Sequence, residues 1–511
     1  MVNNQIKYIV VQAGGKGTRM GHLTWNKPKC LISINNKPIL FHLFSIFKNA
    51  KFIIISDYKS DVLKTYLKNY ANDINYQIIK TNNSGTCSGI KQALTKIPKN
   101  NPFILMWSDL LFLDTPFKKI KIDTNIIGLS GNFVCRWQYR NKSFQEEKSK
   151  KFGVAGFFIF ENKKKLKDVP TDGEFVRYLK DKKIEFKSFT LKNTIEIHDL
   201  TTYEKYTEKI TPIRPFNQIV IKKNIVVKKP LDNQGKKLIK YEKNFYKNIK
   251  KYQLEFFPKV ISTYPLTLEK INGKSLFYFS QLSFKEKKVI LVKIADHLKK
   301  LHSIKKPIPA IKKNDEEAIV KKTYQRLNQI KDLIPNINDK FFIINNIKCL
   351  NYYQNWHLIE KEAPQYYPST YSIIHGDPTF SNTMLSKKNK IFFLDPRGYY
   401  GNTLLYGDID YDWAKVYYSL KGNYDQFNLK KFKLFITDNK IDLKINSNRW
   451  EELENYFFEL INVKKKKKVL FYHGIIWLSL TTYVWDNLDS MLGAFYNGIY
   501  HIQRYYDKKT S

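Results

Sequence analysis

The sequence predicts an α/β protein in two parts: a domain with a mixed, mostly parallel sheet, followed by a two-lobed α+β domain. In about the first 210 residues, short apolar strands alternate with helical patterns, as in parallel sheets covered by helices. The chain then carries several adjacent strand patterns and becomes mostly helical. Its 511 residues are too many for one hydrophobic core and indicate two or three domains.

The N-terminal part contains five apolar runs that we interpret as buried strands. They are IKYIVVQ, FIIIS, YQIIK, PFILMWSD and GVAGFFIF, each nearly continuous in hydrophobicity. Two segments between them, PILFHLFSIFKN and DVLKTYLKNYAN, have the apolar spacing of helices. This alternation predicts a mostly parallel sheet with helices on both faces.

Two prolines in the segment TPIRPFN, at 211–217, mark the predicted domain boundary. We therefore assign 1–212 to the first domain and 213–511 to the second. In the second domain, NQIVIKKNIVVKKP predicts two adjacent strands, a helix follows from about Lys237 to Lys250, and FFPKVIST and LTLEKI add strands. A small β-rich lobe thus spans about 213–275, and a helical lobe containing FKEKKVILVKIADHLKKLHS spans about 276–511.

The chain carries a net charge of +42, from 88 basic and 46 acidic residues. Such an excess raises the alternative of a basic protein that binds nucleic acid. The lysines are spread along the whole chain, however, which favours nucleotides and phosphorylated metabolites as the anionic partners. We interpret the run Lys464–Lys468 as a solvated face or loop and expect no nucleic-acid partner.

Cysteine usage and the apolar segments predict the compartment. The four cysteines form neither a CxxC pair nor a disulfide framework; they are Cys30, Cys87, Cys135 and Cys349. The N-terminus lacks a signal peptide's apolar stretch, and no apolar run approaches the roughly 18 residues of a membrane span. We therefore expect a cytoplasmic protein without a membrane span, and its oligomeric state stays open.

A glycine-rich turn follows the first strand pattern, which runs from Tyr8 to Val11. The turn is formed by Gly14, Gly15, Lys16, Gly17, Thr18 and Arg19. Backbone N–H groups in such a turn can approach phosphates closely, and Arg19 and Lys29 can add positive charge. A Walker A loop is excluded because Lys16 is followed by glycine instead of Ser or Thr. The dinucleotide fingerprint is excluded because Met20 replaces its third glycine.

The longer string AGGKGTRMGHLTWNKPKCLISINNKPIL resembles the sugar-phosphate nucleotidyltransferase family, and the resemblance extends over most of residues 5–210. It implies a Rossmann-like nucleotidyltransferase domain whose glycine loop holds the nucleotide phosphates. It also implies that Arg19 and Lys29 stabilise the transition state and the leaving pyrophosphate. Gly85 and Thr86, in NSGTCSGI, match the positions that contact the nucleobase.

The same resemblance implies a Mg²⁺ site formed by two aspartates. Asp109 ends the strand pattern PFILMWSD, and Asp199 lies in EIHDLTTYEKY. A divalent ion between two carboxylates offsets the repulsion that arises when a phosphate oxygen attacks the α-phosphorus of a nucleotide. From the residues alone, Asp109 could equally cap a helix and Asp199 could begin a turn. We expect the neighbouring His198 to pack or to hydrogen-bond rather than to bind metal.

A second motif lies far downstream, where HGDPTFSN is followed by LDPRG. The order resembles kinases of the aminoglycoside phosphotransferase and choline kinase class, over about 217–420. The resemblance implies a protein-kinase-like fold that uses ATP and Mg²⁺. It assigns Asp377 to accepting or orienting the substrate hydroxyl, and Asn382 and Asp395 to holding the metal.

Further elements of that class are matched upstream. Lys228 in NIVVKKP is the candidate for the strand lysine that contacts the α- and β-phosphates, with Lys229 as the alternative, and Glu242 is its candidate helical partner. The segment TLEKINGKSL resembles the hinge that receives adenine through its backbone near Glu269. The helical pattern HLKKLHS matches the helix of the class that ends in a leucine–histidine pair.

Two features depart from choline kinases. The metal aspartate is followed by PRG instead of an acidic–aromatic pair, which suggests a polar or anionic substrate group near Arg397. Asp408, Asp410 and Asp412 then lie on one short stretch, where they could brace the catalytic loop, contact substrate or form a solvated turn. Of these we take Asp412 as the substrate candidate. We interpret the aromatic segments YYQNW and WLSLTTYVW as helical core, with a substrate pocket as the alternative.

Together the two motifs predict a bifunctional enzyme. One domain would phosphorylate a small hydroxylated metabolite with ATP, and the other would join that phosphate to an NMP from CTP, UTP or GTP. The resemblances imply a precursor for surface polysaccharide or lipid as the product. In one alternative the kinase-like domain is regulatory or acts on a different substrate, and in the other the chain binds nucleic acid. The sequence does not distinguish a sugar, a polyol and an amino alcohol as the acceptor.

Overall fold

The computed structural model describes residues 6–115, 117, 120–207, 217–438 and 440–510. The chain divides into two compact units: Met1–Thr211 with Asp486–Leu488, and Pro212–Trp485 with Asp489–Ser511. The predicted boundary segment at 211–217 lies outside the described residues, except for Asn217.

The N-terminal unit alternates strands and helices. Its strands are β1 (Tyr8–Gln12), β2 (Ser33–Ile34), β3 (Lys37–Pro38), β4 (Lys51–Ser56), β5 (Tyr76–Lys80), β6 (Phe103–Trp107), β7 (Leu110–Phe112), β8 (Ile126–Ser130), β9 (Gln138–Arg140), β10 (Ser143–Gln145), β11 (Val154–Phe160), β12 (Lys187–Leu191) and β13 (Thr194–Glu196). Its α-helices are α1 (Ile39–Ile46), α2 (Ser60–Tyr70), α3 (Ile90–Thr95), α4 (Phe175–Asp181) and α5 (Leu200–Thr207). Short 3-10 helices span Thr18–Thr24, Lys29–Leu31 and Lys164–Leu166.

A seven-stranded mixed sheet organises this unit, in the order β12-β8-β11-β6-β1-β4-β5. Strand β1 is parallel to both β4 and β6, and β4 is parallel to β5. Strand β11 runs antiparallel to β6 and β8. The predicted Rossmann-like, mostly parallel sheet is confirmed, and all five predicted strands and both predicted helices form.

The apolar residues of the central strands explain why they lie inside. Residues Ile9 to Val11 of β1 and Phe103 to Met106 of β6 are completely buried, as expected for a sheet covered on both faces. In β11, Gly156 has a φ of +75° beside a register shift, and a Cβ there would clash with the ring of Trp107. This close approach fixes the end of β6, which carries the site described below.

The C-terminal unit contains short strands and longer helices. Its strands are β14 (Asn217–Ile221), β15 (Ile225–Pro230), β16 (Val260–Thr263), β17 (Leu266–Glu269), β18 (Gly273–Ser275), β19 (Ile308–Pro309), β20 (Phe341–Ile344), β21 (Ile347–Leu350), β22 (Thr370–Ile373), β23 (Thr383–Ser386), β24 (Ile391–Phe393), β25 (Tyr399–Tyr400), β26 (Thr403–Leu404), β27 (Tyr406–Gly407), β28 (Phe432–Ile436) and β29 (Ile441–Ile445). Its α-helices are α6 (Asn233–Ile249), α7 (Phe284–Ser303), α8 (Lys312–Asp315), α9 (Lys322–Ile330), α10 (Trp356–Glu362), α11 (Ile409–Leu420), α12 (Tyr424–Asn428), α13 (Glu454–Ile461), α14 (Lys466–Leu480) and α15 (Leu488–Thr510). Other short helices span Lys250–Tyr252, Leu276–Tyr278, Glu316–Lys321, Lys331–Leu333, Ala363–Tyr366, Glu451–Leu453, Val463–Lys465 and Thr481–Val484.

An antiparallel sheet of four strands, in the order β14-β15-β17-β16, opens the C-terminal unit. Helix α6 packs on β15 and begins at Asn233, four residues before the predicted start at Lys237. The earlier start has a local cause, because the Asp232 side chain caps the helix by accepting a hydrogen bond of 2.7 Å from the Gly235 N–H. Helix α7 spans the predicted segment and begins with a capping box between Ser283 and Glu286.

Two expectations about the whole chain concern membrane spans and thiols. Within the described ranges, every helix is too short or too polar to cross a membrane. All four cysteines are buried free thiols.

Candidate active sites

The glycine turn of the N-terminal unit follows β1 at the carboxyl end of the parallel strands. Ala13 donates to the Ile55 carbonyl at 2.8 Å, which ties the start of the turn to β4. Gly17 has a φ of +63°, and a Cβ there would lie 3.2 Å from the Thr24 methyl group and 3.3 Å from the Lys29 Cβ. Only glycine fits this bend easily. The turn therefore leaves Gly15, Lys16, Thr18 and Arg19 on the surface, where backbone N–H groups and cations can meet phosphates.

Lys29 and Asp109 form the best-defined ion pair of this site. The Lys29 Nζ lies 2.6 Å from the Asp109 Oδ2, and both side chains are mostly buried. Asp109 follows β6, the strand next to β1, so the sheet brings it to the edge that carries the glycine turn. The Asp109 Oδ1 is buried and has no hydrogen-bond partner. A buried carboxylate oxygen without a partner fits a metal ligand, because such an atom gains from a cation.

Glu196 is a third carboxylate at this site, and our sequence interpretation missed it. Burial, followed by the charge of Asp109, raises the pKa of Glu196 to about 7 against the opposing effects of Lys29 and Arg19. Strand β13 pairs Glu196 with Leu110, and the Asp109 carbonyl accepts a hydrogen bond of 2.9 Å from the Ile197 N–H. The only available signal was the position of Glu196 three residues before Asp199.

Asp199 has a structural role in the observed conformation. Its Oδ1 accepts a hydrogen bond of 2.8 Å from the Thr202 N–H at the start of α5, and this bond lowers the pKa of Asp199. Its Oδ2 lies 3.0 Å from the His198 Nε2, so His198 has the hydrogen-bonding role expected for it. Across the described residues, no cluster of three or more His, Cys, Asp and Glu side chains is arranged to hold a metal. The metal role of Asp199 stays a prediction.

The predicted nucleobase loop is held in place by the chain around Gly173. Gly85 has a φ of +82°, and a Cβ there would clash with the Gly173 backbone. The Thr86 Oγ1 accepts a hydrogen bond of 2.8 Å from the Phe175 N–H. The side-chain amide of Gln12, at the end of β1, donates to the Thr86 and Ser88 carbonyls. The loop is therefore attached to the same strand end that opens into the glycine turn.

In the C-terminal unit, a buried lysine joins β15, α6 and the chain after β24. The Lys228 Nζ lies 2.6 Å from the Glu242 Oε1 and also contacts the Asp395 Oδ1. Burial alone would lower the pKa of Lys228, but Asp395 and then Glu242 outweigh burial and raise it. Lys228 therefore stays charged, whereas its neighbour Lys229 is exposed.

The HGDPTFSN segment brings its aspartate and asparagine together. The Asn382 side-chain amide donates to the Asp377 carbonyl at 2.9 Å and to its Oδ2 at 3.0 Å. The Leu394 N–H donates to the Asn382 carbonyl at 2.7 Å, which places Asp395 just beyond this pair. Asp395 itself has a φ of +55°. Aspartate adopts this left-handed conformation more readily than most residues do.

The side chain of Lys415, on α11, also contacts Asp377, and no pattern in the sequence pointed to this lysine. Its Nζ lies 3.0 Å from the Asp377 Oδ1, and its side chain is 10% exposed. The ammonium also lies over the rings of Tyr411 and Tyr418. This lysine approaches Asp377 from another element because α11 packs under the HGDPTFSN segment.

Asp412 braces the HGDPTFSN segment, which corrects its selection as a substrate candidate. It is completely buried, and its oxygens accept hydrogen bonds from the His375 N–H at 2.9 Å and the Gly376 N–H at 2.7 Å. The His302 Nε2, at the end of α7, lies 3.0 Å from the same carboxylate. The leucine–histidine pair of that helix therefore positions the loop through Asp412.

The lysine run at Lys464–Lys468 is more than a solvated face. The Lys465 Nζ lies 2.6 Å from the Asp410 Oδ1, and the Lys468 Nζ lies 2.8 Å from the Asp408 Oδ2 and 3.0 Å from the Asp410 Oδ2. Asp408 also caps α11. Part of the run thus neutralises two buried carboxylates, which the sequence alone could not reveal because their partners lie more than 50 residues away.

Two further predicted residues lie where strands or loops end. The Glu269 N–H donates to the Lys259 carbonyl at 2.9 Å, so it is used within the β16–β17 hairpin, and the segment that follows β17 stays the predicted hinge. The Arg397 N–H donates to the His375 carbonyl at 2.8 Å, so Arg397 lies beside the HGDPTFSN segment.

Comparison with known proteins identifies the N-terminal unit. Residues 9–119 match the MobA-like NTP transferase domain family. The N-terminal unit therefore contains a MobA-like domain of the sugar-phosphate nucleotidyltransferase kind.

Several characterised proteins are similar to part of the chain. The mannose-1-phosphate guanyltransferase of Saccharomyces cerevisiae is 31% identical over 134 residues, which are 25% of this chain and 37% of that protein. The glucose-1-phosphate cytidylyltransferase of Salmonella typhimurium is 44% identical over 64 residues, 12% of this chain and 25% of that protein. The CTP:phosphoglutamine cytidylyltransferase of Campylobacter jejuni is 29% identical over 118 residues, 22% of this chain and 47% of that protein. The chain therefore matches less than half the length of each relative.

Proposed function

We propose that this protein is a bifunctional enzyme that phosphorylates a small hydroxylated metabolite and then activates the product with a nucleotide. The C-terminal unit would transfer the γ-phosphate of ATP to a hydroxyl. The N-terminal unit would join that phosphate to an NMP from CTP, UTP or GTP and release pyrophosphate. The observation that carries the proposal is that each unit brings charged residues of its own motif together, Lys29 with Asp109 in one and Lys228 with Glu242 in the other.

The nucleotidyl-transfer step is supported by the MobA-like match and by the Lys29–Asp109 pair. In this step an oxygen of the acceptor phosphate attacks the α-phosphorus, and the bond to the β-phosphate oxygen breaks. The glycine turn would hold the phosphates of the NTP through its N–H groups, and Arg19 and Lys29 would stabilise the charge that develops on the leaving pyrophosphate. Gly85 and Thr86 would contact the base.

A magnesium ion in the N-terminal unit would be held by Asp109 and Asp199. When bound, Mg²⁺ supplies positive charge that offsets the repulsion between the two phosphates. Asp109 has a buried oxygen to offer, and Asp199 could exchange its hydrogen bond with His198 for a metal. The relatives named above are a guanyltransferase and two cytidylyltransferases of phosphorylated compounds. We therefore expect an NTP other than ATP as the second substrate.

The phosphoryl-transfer step is supported by the ion pairs around Lys228. Lys228, fixed by Glu242, would contact the α- and β-phosphates of ATP, and the segment after Glu269 would receive the adenine. Asp377 would orient the acceptor hydroxyl and accept its proton as the oxygen attacks the γ-phosphorus. Asn382 and Asp395 would hold Mg²⁺, whose charge compensates the phosphates. Lys415 and Asp412 are positioning residues, since one binds the Asp377 carboxylate and the other fixes its loop.

The order of the two reactions gives a reason for joining them in one chain. The kinase product is the transferase substrate, so covalent linkage raises its local concentration. We expect the final product to be a precursor for surface polysaccharide or lipid. Because both steps consume nucleotides and the four cysteines are free, we also propose a reducing, cytoplasmic location.

The experiment measures pyrophosphate release by the purified protein with Mg²⁺ and each NTP in turn. One series contains ATP and a pool of free sugars, polyols and amino alcohols, and a second series contains their phosphates without ATP. We expect release from one NTP in both series, and in the first series only when ATP and one acceptor are both present. Pyrophosphate release with the phosphorylated acceptors but never with the free acceptors would overturn the coupled reaction. That result would favour a kinase-like unit with another role.

A further inference from the structure

Three cations of the C-terminal unit converge on tyrosine rings close to the predicted catalytic aspartate. Lys322 and Arg326 lie one turn apart on α9, and Arg397 lies two residues after Asp395. We call this set the cation cluster. Only Arg397 was singled out from the sequence, because Lys322 and Arg326 are separated from the HGDPTFSN segment by about 50 residues of chain.

Each cation of the cluster is held by an aromatic ring. The Arg326 guanidinium lies 4.4 Å from the centre of the Tyr483 ring and donates to the Ser479 carbonyl and hydroxyl, both at 2.6 Å. The Lys322 Nζ lies 5.5 Å from the centre of the Tyr399 ring, and the Arg397 guanidinium lies 5.6 Å from the same centre. These contacts fix the positions of the charges while leaving other N–H groups of the cations available.

The positive charges of the cluster repel one another unless an anion binds among them. Among the described residues, no carboxylate forms an ion pair with Lys322, Arg326 or Arg397, although all three are at least partly buried. Burial, followed by the charge of Arg397, lowers the pKa of Lys322 to about 8. Burial alone would raise the pKa of Tyr483, but Arg397, Arg326 and Lys322 outweigh it and lower the pKa to about 7. Concentrated like charges of this kind are more typical of ligand sites than of structural cores.

The cluster adjoins the residue that would take the substrate proton. Arg397 packs directly against Gly376, the residue before Asp377. A Cβ on Gly376 would lie only 2.8 Å from the Arg397 Cβ, so no side chain fits between the two residues. The Arg397 guanidinium lies 3.2 Å from the Tyr411 hydroxyl, and the ring of Tyr411 lies beneath the ammonium of Lys415, which binds Asp377. A molecule whose hydroxyl reaches Asp377 would therefore have its other end near the cluster.

We propose that the cation cluster binds an anionic group, a carboxylate or a phosphate, on the acceptor whose hydroxyl is phosphorylated at Asp377. This inference rests on the proposed kinase function and narrows its substrate class to acidic hydroxy compounds. Guanidinium and ammonium groups recognise both carboxylates and phosphates through charge-assisted hydrogen bonds. Three positive charges repel the cationic end of an amino alcohol, so the proposal predicts that choline-like and ethanolamine-like compounds are poor acceptors.

The first test compares neutral acceptors with related acceptors that carry an acidic group. The purified full chain is given ATP and Mg²⁺ with three pairs of probes: glycerol and glycerate, glucose and gluconate, and glucose and glucose 6-phosphate. ADP formation that depends on the probe is measured. We expect turnover with at least one acidic probe and a KM at least about tenfold lower than for its neutral partner. Preference for the neutral partner in every pair would overturn the anionic site while leaving the kinase function intact.

The second test uses variants of the cluster that remove the positive charge and keep a polar side chain. Lys322→Gln and Arg326→Gln are each expected to raise the KM for the acidic probe about tenfold, with the KM for ATP unchanged. The matched control is Lys321→Gln, because Lys321 is the exposed neighbour of Lys322 and pairs with Glu316. An unchanged KM for the acidic probe in both cluster variants would overturn the proposal.

A third measurement separates the inference from the kinase function. Binding of gluconate, glycerate and glucose 6-phosphate to the Asp377→Ala variant is followed by calorimetry, so that no turnover is needed. Arg326→Lys is included because it retains the charge and protects the test against loss of folding in Arg326→Gln. Binding of an acidic probe that is weakened by Lys322→Gln supports the site even if no acceptor is phosphorylated. Absence of binding by all three probes, in a variant that folds normally, would contradict it.

Discussion

The glycine turn of the N-terminal unit and the Lys228 ion pairs of the C-terminal unit hold their polar and charged groups in opposite ways. In the N-terminal unit, Lys16, Thr18 and Arg19 are exposed on a glycine turn, and the charges that would meet them belong to the nucleotide. In the C-terminal unit, Lys228 is 6% exposed and already contacts Glu242 and Asp395. The cations of the glycine turn would meet their counter-charges only when a ligand binds, whereas Lys228 is already paired in the absence of a ligand.

This difference has an energetic consequence. Exposed cations contribute little to folding, so removing one should change binding and catalysis but not stability. Removing one member of a buried ion pair leaves an uncompensated charge, which costs several kcal/mol in stability as well as activity. Variants of the exposed cations of the glycine turn should therefore lose activity alone, whereas variants of the buried Lys228 ion pairs should lose both activity and stability.

The largest effect is expected for Asp377→Ala. Phosphorylation of the acceptor should fall about a thousandfold, because the hydroxyl loses the group that orients it and accepts its proton. Pyrophosphate release from a pre-phosphorylated acceptor should keep its wild-type rate. The control is Asp296→Ala, which removes an exposed carboxylate from α7. Phosphorylation within tenfold of wild type would show that Asp377 has been assigned wrongly.

Lys228→Met should affect stability and activity together. The change leaves Glu242 and Asp395 without their shared cation, so the free energy of unfolding of the C-terminal unit should fall by about 3 kcal/mol. The KM for ATP in phosphorylation should also rise. Lys229→Met is the matched control, since that neighbour is exposed. Equal changes in the free energy of unfolding and in the KM for ATP in Lys228→Met and Lys229→Met would contradict a special role for Lys228.

Asp109→Asn should lower nucleotidyl transfer about a hundredfold and leave phosphorylation unchanged. Its carboxylate would hold the metal and orient Lys29, and the amide does neither well. Pyrophosphate release from a supplied acceptor phosphate measures the loss. Asp73→Asn, at an exposed turn, serves as the control. A variant that loses both activities while its unfolding curve stays normal would argue against two independent sites.

The smallest effect, on stability alone, is expected for Lys468→Ala. Burial raises the pKa of Asp408, and Lys468 opposes that rise, so the variant leaves Asp408 to ionise without its cation. Because ionised Asp408 then costs folding energy, the loss of about 1.5 kcal/mol should be present near pH 8 and shrink in acid, where Asp408 takes up a proton. Lys467→Ala is the exposed control, and thermal melts at both pH values give the comparison.

The sequence predicts most of the fold wherever local pattern decides it. Apolar runs predicted five of the seven strands of the N-terminal sheet, and the glycine turn follows β1 as its motif predicts. The start of α6 was placed four residues late because the capping role of Asp232 was overlooked. The antiparallel direction of β11 depends on a long connection, and no local pattern encodes it.

The parts of the sites that the sequence did not predict depend on contacts between distant segments. Glu196 reaches Asp109 through the β7–β13 pairing, and Lys415 reaches Asp377 because α11 packs below its loop. Lys322 lies in an ordinary-looking amphipathic helix, and only the fold brings it to Arg397. For Asp412 the sequence left bracing of the loop and contact with substrate as alternatives, because burial is a property of the folded chain.

The central claim is that one phosphate group passes from the C-terminal site to the N-terminal reaction. It is tested by giving the purified protein ATP labelled in its γ-phosphate, together with an unlabelled NTP and the acceptor found in the pyrophosphate assay. The account predicts label in the nucleotide-activated product, on the phosphate next to the acceptor, and unlabelled pyrophosphate. A nucleotide-activated product without label would contradict the account, because the phosphate would then have come from another source.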